Sequence, residues 1–247
     1  MNKIISALVW LALILTTLIL FPVSLLVWFL SYPFDTRRKV FHYWLLIHSG
    51  ILTSFLPCGR IKPEGLDKIN RNNSYVIISN HQSILDILVL NRIFISFKWI
   101  SKIENLRVPF LGWYLRMAGY IPVERGNKES RGEMINSAAR CLRNNISIMI
   151  FPEGTRSPDG NIGFFKTGAF ELALMTDKPV LPVVIDGTGR LLPKKSRVFA
   201  AGAKITVRIL DPVFPGSFMT SNQDELAAAF RKIITKELEK IRAGERR

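Results

Sequence analysis

The sequence predicts an α/β domain with one central sheet flanked by helices, preceded by two apolar helices that bind a membrane. Two long apolar runs occupy most of the first 57 residues. From Gly59 onward, strand-like and helix-like segments alternate between short Gly, Pro and Asn clusters, as an α/β fold requires. The 247 residues suffice for one substantial domain and an appendage. We therefore predict a membrane-associated helical motif at residues 1–57 and an α/β domain at residues 58–247.

The two apolar runs have the composition of segments that enter a bilayer. Residues 4–30 contain no charged side chain, and residues 41–57 are interrupted only by His42 and His48. As helices they would be about 40 Å and about 25 Å long, against a hydrocarbon core of ~30 Å. A cleaved signal peptide is disfavoured, because the first run is too long and no A-x-A-like site follows it.

Three basic residues between the runs, Arg37, Arg38 and Lys39, bear on the topology. If both runs crossed the bilayer, this triplet and the basic main domain would lie on opposite sides, against the positive-inside tendency. Two arrangements remain open: the first run spans and the second is re-entrant, or both form a half-inserted hairpin with the triplet at the headgroups. In both, the domain lies on the cytoplasmic face of the inner (plasma) membrane.

The charge balance favours an anionic partner. The chain has 34 Lys and Arg against 19 Asp and Glu, a net charge of +15, which suits nucleic acid, an anionic membrane surface or a phosphorylated substrate. Cys58 and Cys141 are too few for a disulfide framework, and the default is a reducing compartment. The three histidines are too dispersed to predict a metal site.

The main domain is predicted to contain six strands and five helices, in the order that their composition and turn residues indicate. The predicted strands cover residues 75–79, 97–100, 120–123, 146–151, 180–185 and 205–210. The predicted helices cover residues 84–91, 109–117, 130–143, 168–175 and 223–242.

The stretch NHQSILD, at residues 80–86, follows the first of these strands. Its His81 and Asp86 would lie about 140° apart on an ideal helix and could not meet there. Ser83 and Asp86 form a capping-box pattern, however, which predicts that the helix begins at Ser83 and that His81 lies in a turn before it. His81 can then fold back towards Asp86. The alternative is that Asp86 only caps the helix and His81 is a solvated loop residue.

The stretch FPEGTRS, at residues 151–157, follows another apolar strand. Its Glu153, Thr155 and Arg156 therefore fall at a strand's carboxyl end, where open α/β sheets bind their ligands. An ordinary acidic turn is the alternative for this stretch alone.

Together, the two stretches resemble the glycerolipid acyltransferase family typified by bacterial 1-acyl-sn-glycerol-3-phosphate acyltransferase. They occur in the family's order, roughly 70 residues apart, behind a membrane-binding N-terminus. The resemblance extends over about residues 75–187 and includes four motifs. These are matched by Asn80, His81 and Asp86; by Lys102, Pro109, Gly112 and Arg125; by the whole of FPEGTRS; and by the strand VLPVVI at residues 180–185.

The resemblance implies acyl transfer with His81 and Asp86 as the catalytic residues. Moving an acyl group from a thioester to a hydroxyl requires a base near the alcohol, and histidine suits that task at neutral pH. Asp86 would fix the tautomer of His81 and stabilise the imidazolium, as the aspartate of a catalytic triad does. The sequence has no G-x-S-x-G elbow, which favours direct transfer over an acyl-enzyme. Backbone N–H groups at the start of the helix are expected to help bind the oxyanion.

The family motifs also imply a substrate-binding set: Asn80, Lys102, Arg125, Glu153, Gly154, Thr155 and Arg156. The cations would bind the acceptor's phosphate, since arginine grips phosphate with two parallel bonds and lysine acts as a point charge. Glu153 would orient either the glycerol hydroxyls or the arginine, and Gly154 would let the backbone approach closely. The alternative for the cations is solvated surface charge.

The predicted reaction is acylation of the sn-2 hydroxyl of 1-acyl-sn-glycerol 3-phosphate (lysophosphatidic acid) to give phosphatidic acid in phospholipid biosynthesis. The donor is acyl-CoA or acyl-carrier protein, with no metal or other cofactor, and the partners are these substrates and membrane lipids. Glycerol 3-phosphate or another lysophospholipid is the alternative acceptor, and a membrane scaffold is the non-enzymatic alternative. Nucleic-acid binding is not expected, because it would explain the charge but not the apolar N-terminus.

Overall fold

The computed structural model describes residues 3–218 and 220–245. It begins with two helices, α1 (Lys3–Ser31) and α2 (Lys39–Ser54), which coincide with the two predicted apolar runs. The turn between them is closed by Asp35, whose carboxylate accepts hydrogen bonds from the Lys39 and Val40 N–H groups at 2.8 and 2.7 Å. Asp35 therefore supplies the acceptor that the first turn of α2 needs.

The two apolar helices differ in their surroundings. Among the described residues, α1 is the one helix long and apolar enough to cross a bilayer, and most of its side chains are exposed. One side of α2 instead packs against the domain, where Leu46 and Leu52 share a hydrophobic core with Ile77 and Phe97 of the sheet. Apolar side chains of α1 thus remain available to a membrane, whereas α2 is half covered by protein.

The sheet has seven strands, and the helices lie around it. The strands are β1 (Pro63–Glu64), β2 (Val76–Ser79), β3 (Phe97–Lys102), β4 (Ile121–Val123), β5 (Ser147–Ile150), β6 (Val180–Asp186) and β7 (Thr206–Ile209). The remaining α-helices are α3 (Asp86–Leu90), α4 (Leu111–Met117), α5 (Lys128–Arg143), α6 (Gly168–Thr176), α7 (Thr188–Leu191) and α8 (Gln223–Glu245). Short 3₁₀ turns cover Leu66–Lys68, Asn91–Ile93, Ile103–Arg107 and Pro215–Phe218.

The sheet confirms the predicted fold class. All six predicted strands and all five predicted helices occur within a few residues of their predicted bounds. Strand β1 was missed, because two residues are too few to show an alternating pattern. The division at residue 57 remains a prediction.

The prediction that the helix of the NHQSILD stretch begins at Ser83 is wrong. The helix begins at Asp86. The Ser83 hydroxyl donates to the Leu192 carbonyl at 2.8 Å instead of capping the helix. Only the reverse half of a capping box forms, since the Asp86 carboxylate accepts the Ser83 N–H at 2.9 Å.

The strand order, β1-β7-β6-β2-β5-β3-β4, determines which loops meet. Strand β2 is hydrogen-bonded in parallel to β5 on one side and to β6 on the other. Alternate residues of β2 enter the cores on opposite faces, with Ile77 in one and Val76 and Ile78 in the other. The loops after β2, β5 and β6 therefore emerge side by side at the carboxyl edge, near a point where the chain crosses to both sides of β2.

Candidate active site

His81 and Asp86 form a hydrogen-bonded pair in the loop after β2. The distance between His81 Nδ1 and Asp86 Oδ2 is 2.7 Å. The Asp86 side chain is fully buried, and that of His81 is 14% exposed. No hydrogen bond to His81 Nε2 occurs within residues 3–218 and 220–245, and the ring lines a cleft. The alternative of a solvated histidine beside a simple cap does not describe this arrangement.

Asp86 is held by backbone and side-chain donors from two loops. Its Oδ2 atom accepts the Gln82 and Ser83 N–H groups at 2.6 and 2.9 Å, and its Oδ1 atom accepts the Thr188 hydroxyl. These donors satisfy both oxygens of the buried carboxyl group and fix its position. Since the Gln82 and Ser83 N–H groups are already bonded to Asp86, these two groups are not available to a substrate oxyanion. The predicted role of the backbone at the helix start stays a prediction.

The loop after β5 fixes the other side of His81. The His81 ring stacks on Phe151 with ring centroids 3.9 Å apart and an interplanar angle of 8°. The His81 carbonyl accepts the Ser157 N–H at 2.7 Å, and the His81 N–H donates to Glu153 Oε1 at 2.8 Å. The FPEGTRS stretch thus contacts the backbone and the ring of the histidine, which the parallel pairing of β2 with β5 makes possible.

Glu153 binds two loops together. While Oε1 accepts the His81 N–H, Oε2 accepts the Gly163 N–H at 2.9 Å. Burial raises the pKa of Glu153, and the two N–H groups act in the opposite direction. The geometry therefore shows Glu153 orienting the backbone; its predicted role towards glycerol hydroxyls or an arginine stays a prediction.

Gly154 occupies a position that requires glycine. Its φ is +67°, and a Cβ atom there would lie 3.1 Å from Lys166 Nζ. A larger residue would have both backbone strain and a close contact with this lysine. The predicted close approach of the Gly154 backbone to a substrate stays a prediction.

The cleft beside His81 has a volume of about 1090 Å³ and is lined by both cationic and apolar residues. Its cationic residues include the predicted Lys102, Arg125 and Arg156, and its wall also includes Thr155 and Gly154. Its apolar lining includes residues of both N-terminal helices: Trp10, Leu13, Ile14, Leu18, Leu45 and Leu52. Such a cleft matches a molecule with a charged head and a hydrocarbon chain.

The three predicted cations differ in solvent exposure and in ion pairing. Arg125 is exposed, Arg156 is half-buried, and Lys102 forms an ion pair with Glu104 at 2.8 Å. The structure brings all three to one cleft, although Lys102 ends β3, Arg125 follows β4 and Arg156 follows β5. Their binding of phosphate remains a prediction.

Asn80 is not part of the cleft wall. Its side chain is buried, its Nδ2 donates to the Ile185 carbonyl at 2.8 Å, and its Oδ1 accepts the Ile185 N–H at 2.9 Å. The Asn80 amide therefore continues the hydrogen bonding between β2 and β6 by one residue. This geometry does not support the substrate contact predicted for Asn80 and gives it a structural role instead.

Three residues of the site were missed from the sequence: Thr188, Lys166 and Lys194. Thr188 follows β6 in the stretch Gly-Thr-Gly, a signal comparable to those after β2 and β5. The Lys194 Nζ atom donates to the Arg156 carbonyl and lies 3.4 Å from Thr155 Oγ1, so this lysine helps to fix the FPEGTRS loop. Lys166 and Lys194 both line the cleft, but nothing in the sequence separates them from the other basic residues.

The fold and the site define a class of protein: an α/β protein with a histidine–aspartate pair at the carboxyl edge of its sheet, beside a cleft lined by cationic and apolar side chains. A family model described as Acyltransferase matches residues 60–186. The chain belongs to this acyltransferase family, which confirms the resemblance predicted from the motifs.

Relatives and a solved structure are consistent with this membership. The chain is 36% identical to the chloroplast 1-acyl-sn-glycerol-3-phosphate acyltransferase of Arabidopsis thaliana over 73% of its own length and 51% of the relative's. It is 34% identical to the 1-acyl-sn-glycerol-3-phosphate acyltransferase of Saccharomyces cerevisiae over 68% and 56% of the two chains. It therefore spans about half the length of these curated relatives.

The structure resembles the crystal structure of the 1-acyl-sn-glycerophosphate (LPA) acyltransferase PlsC from Thermotoga maritima. The TM-score is 0.78 and the sequence identity is 28%. The similarity covers 94% of this chain and 96% of the other. It thus includes the N-terminal helices as well as the sheet.

Proposed function

We propose that this protein transfers an acyl group from a thioester to the sn-2 hydroxyl of 1-acyl-sn-glycerol 3-phosphate, giving phosphatidic acid. The observation that carries the proposal is the hydrogen-bonded His81–Asp86 pair, whose histidine lines a cleft together with cationic side chains and apolar side chains of α1 and α2. The names of the relatives and of the structural neighbour support the same acceptor.

His81 acts as a general base and then as a general acid. Its Nε2 takes the proton of the acceptor hydroxyl while the hydroxyl oxygen attacks the thioester carbonyl carbon. The resulting intermediate collapses with cleavage of the carbon–sulfur bond, and the imidazolium returns the proton to the leaving thiolate. Asp86 holds Nδ1 protonated and stabilises the positive charge on the ring between these steps.

The cationic and the apolar side chains of the cleft bind different parts of the acceptor. Lys102, Arg125 and Arg156 bind its phosphate, because fixed cations in a partly desolvated cleft form strong charge-assisted hydrogen bonds. The acyl chain of the acceptor lies against the apolar side chains of α1 and α2. The donor is acyl-CoA or acyl-carrier protein, and the reaction uses no metal or other cofactor.

An acceptor panel tests the proposal. Purified protein is incubated with acyl-CoA or acyl-carrier protein and with lysophosphatidic acid, glycerol 3-phosphate or other lysophospholipids, and the products are identified by mass spectrometry. We expect phosphatidic acid from lysophosphatidic acid and no product with the His81→Ala variant. Thermal unfolding and vesicle binding of that variant provide the control for folding. Turnover by the folded variant at the wild-type rate would contradict the mechanism, and preference for another acceptor would contradict the substrate assignment.

We also propose that the domain lies on the cytoplasmic face of the inner membrane, with residues 36–39 at its headgroups. The exposed apolar surface of α1 and the packing of α2 on the domain support this placement. The test is labelling of Thr36→Cys in sealed, right-side-out vesicles after replacement of Cys58 and Cys141. Protection from an impermeant reagent is expected. Labelling would show that the turn reaches the far side of the bilayer.

A further inference from the structure

The chain between β5 and α6 has no helix or strand of its own. Residues 151–167 contain the whole FPEGTRS stretch and the loop that follows it, and they form turns and irregular backbone. Irregular backbone depends on individual hydrogen bonds for its position. Glu153 and Ser157 of this segment bond to the backbone of His81. Contacts that fix the position of the segment therefore also fix the position of the histidine.

Arg231 of helix α8 forms the first attachment. Its Nε donates to the Gly163 carbonyl at 2.8 Å, and its Nη2 donates to the Ile162 carbonyl at 3.0 Å. The N–H of the same Gly163 donates to Glu153 Oε2, and Glu153 Oε1 accepts the His81 N–H. A series of hydrogen bonds therefore connects α8 to His81 through Gly163 and the buried carboxylate of Glu153.

Arg242, eleven residues further along α8, forms the second attachment. Its Nη2 donates to the Gly160 carbonyl at 2.8 Å, and its Nε donates to Asp186 Oδ1 at 3.1 Å. Asp186 is buried at the end of β6, where its Oδ1 also accepts the Gln82 amide at 3.4 Å. The Gln82 N–H donates to Asp86 at 2.6 Å. One guanidinium thus joins the loop after β5, the end of β6 and the residue next to His81.

We propose that Arg231 and Arg242 of α8 are positioning residues that hold the His81–Asp86 pair in its reactive geometry from outside the cleft. This inference rests on the proposed function. Neither arginine lines the cleft, and neither do Gly160, Gly163 or Asp186, so the two side chains act through the loops that they bond to. A guanidinium suits this task because its planar fork donates to two acceptors at once, whereas an ammonium group cannot reproduce the fork.

The chain offers a matched control in Arg208. Arg208 lies on β7 and bonds Glu64 at 2.7 Å and Glu237 of α8 at 2.8 Å, so it uses two side-chain contacts and ties α8 to the sheet through the second of them. Its side chain is 32% exposed, against 29% for Arg242. It contacts no loop of the active site in these bonds. Arg208→Met therefore removes a similar attachment of α8 without removing one from the loops beside His81.

The experiment compares Arg231→Met, Arg242→Met and Arg208→Met in full-length protein with lysophosphatidic acid and acyl-CoA. We expect kcat to fall about 10- to 100-fold for the first two, because a displacement of ~1 Å at a reacting group costs up to ~10²-fold. KM for both substrates should change much less, since no binding residue is removed. Arg208→Met should retain the wild-type kcat. Equal kcat values for all three variants would overturn the proposal.

Hydrogen–deuterium exchange of residues 151–167 provides a measurement that does not depend on turnover. The Ser157 and Gly163 amides should exchange faster in the Arg231 and Arg242 variants than in Arg208→Met, because their loop has lost its attachment. Unchanged exchange would overturn the proposal even if the wild-type protein made no phosphatidic acid. If Arg242→Met fails to fold, Arg242→Lys replaces it, and full kcat in that variant would overturn the requirement for two simultaneous contacts.

Discussion

The Asp86→Asn substitution separates catalysis from capping most directly. Asp86 is fully buried, and its Oδ2 atom accepts three donors: His81 Nδ1, the Gln82 N–H and the Ser83 N–H. In Asp86→Asn, the asparagine oxygen must replace Oδ2 as the acceptor of these three bonds. The asparagine NH₂ group would then face Thr188 Oγ1. The threonine hydroxyl can then accept that N–H and turn its own proton towards Gln82 Oε1, which lies 3.5 Å away. We therefore expect the variant to fold.

The Asp86→Asn substitution should lower kcat much more than it lowers folding stability. Asparagine removes the negative charge that stabilises the His81 imidazolium, and the equivalent change in a catalytic triad lowers kcat by ~10⁴-fold. Four decades correspond to about 5.4 kcal/mol of transition-state stabilisation. The loss of charge-assisted hydrogen bonds should cost about 1–3 kcal/mol of folding stability. Thr188→Val is the matched control: it removes one donor but keeps the charge, so kcat should fall by only about tenfold.

Steady-state kinetics and thermal unfolding of the same preparations decide between the two roles. If Asp86 only holds the backbone of Gln82 and Ser83, Asp86→Asn will unfold at a lower temperature and retain the wild-type kcat. That result would refute the assignment of His81 and Asp86 as a catalytic pair.

Three further outcomes are expected. Arg156→Ala should raise KM for the acceptor, with or without a lower kcat, and change KM for the donor much less. Steady-state kinetics with each substrate varied measures both values. A raised KM for the donor alone would assign this cation to the donor instead. Glu153→Gln should lower both kcat and folding stability, because the new NH₂ group would face the N–H of either His81 or Gly163. We expect the free energy of unfolding in denaturant to fall by about 1–3 kcal/mol. Wild-type kcat and stability would contradict this expectation. Burial lowers the pKa of His42 from 6.5 to about 3 and that of His48 to about 4, so the unfolded state binds protons that the folded state does not. Stability should therefore fall by up to about 1.4 kcal/mol per histidine for each pH unit between 6.5 and the folded-state pKa. Unfolding measured from pH 7 to pH 5 should therefore show a weaker pH dependence in His42→Gln, and an unchanged slope would contradict the burial argument.

The local elements were predictable because their signals lie within a few residues. Strands such as β2 and β5 show as short apolar runs, and β6 shows in the same way. The approach of His81 to Asp86 was also predictable, since a turn before a helix releases the histidine from helical geometry. The start of that helix was not, because the Ser83 hydroxyl bonds to Leu192, more than a hundred residues away.

The roles of individual polar residues were less accessible. Asn80 stands beside His81 in the family motif, but its amide nitrogen and oxygen both bond to the backbone of Ile185 in the adjacent strand. A motif records which residues occur together and not which way each side chain points. Lys166 and Lys194 show the converse, since they line the cleft but belong to no motif.

The residue pattern alone identified the apolar N-terminus, the α/β class and the approach of His81 to Asp86, because each depends on composition or on residues close together in the chain. The family followed from the resemblance of two motifs to those of known proteins. The strand order was decided only by the folded chain, and with it the meeting of the loops after β2, β5 and β6. The bond from Thr188 to Asp86, the two bonds of Glu153 and the attachments of Arg231 and Arg242 all depend on that order. They join residues far apart in sequence, and such contacts form only when tertiary packing brings two surfaces together, so no local signal records them.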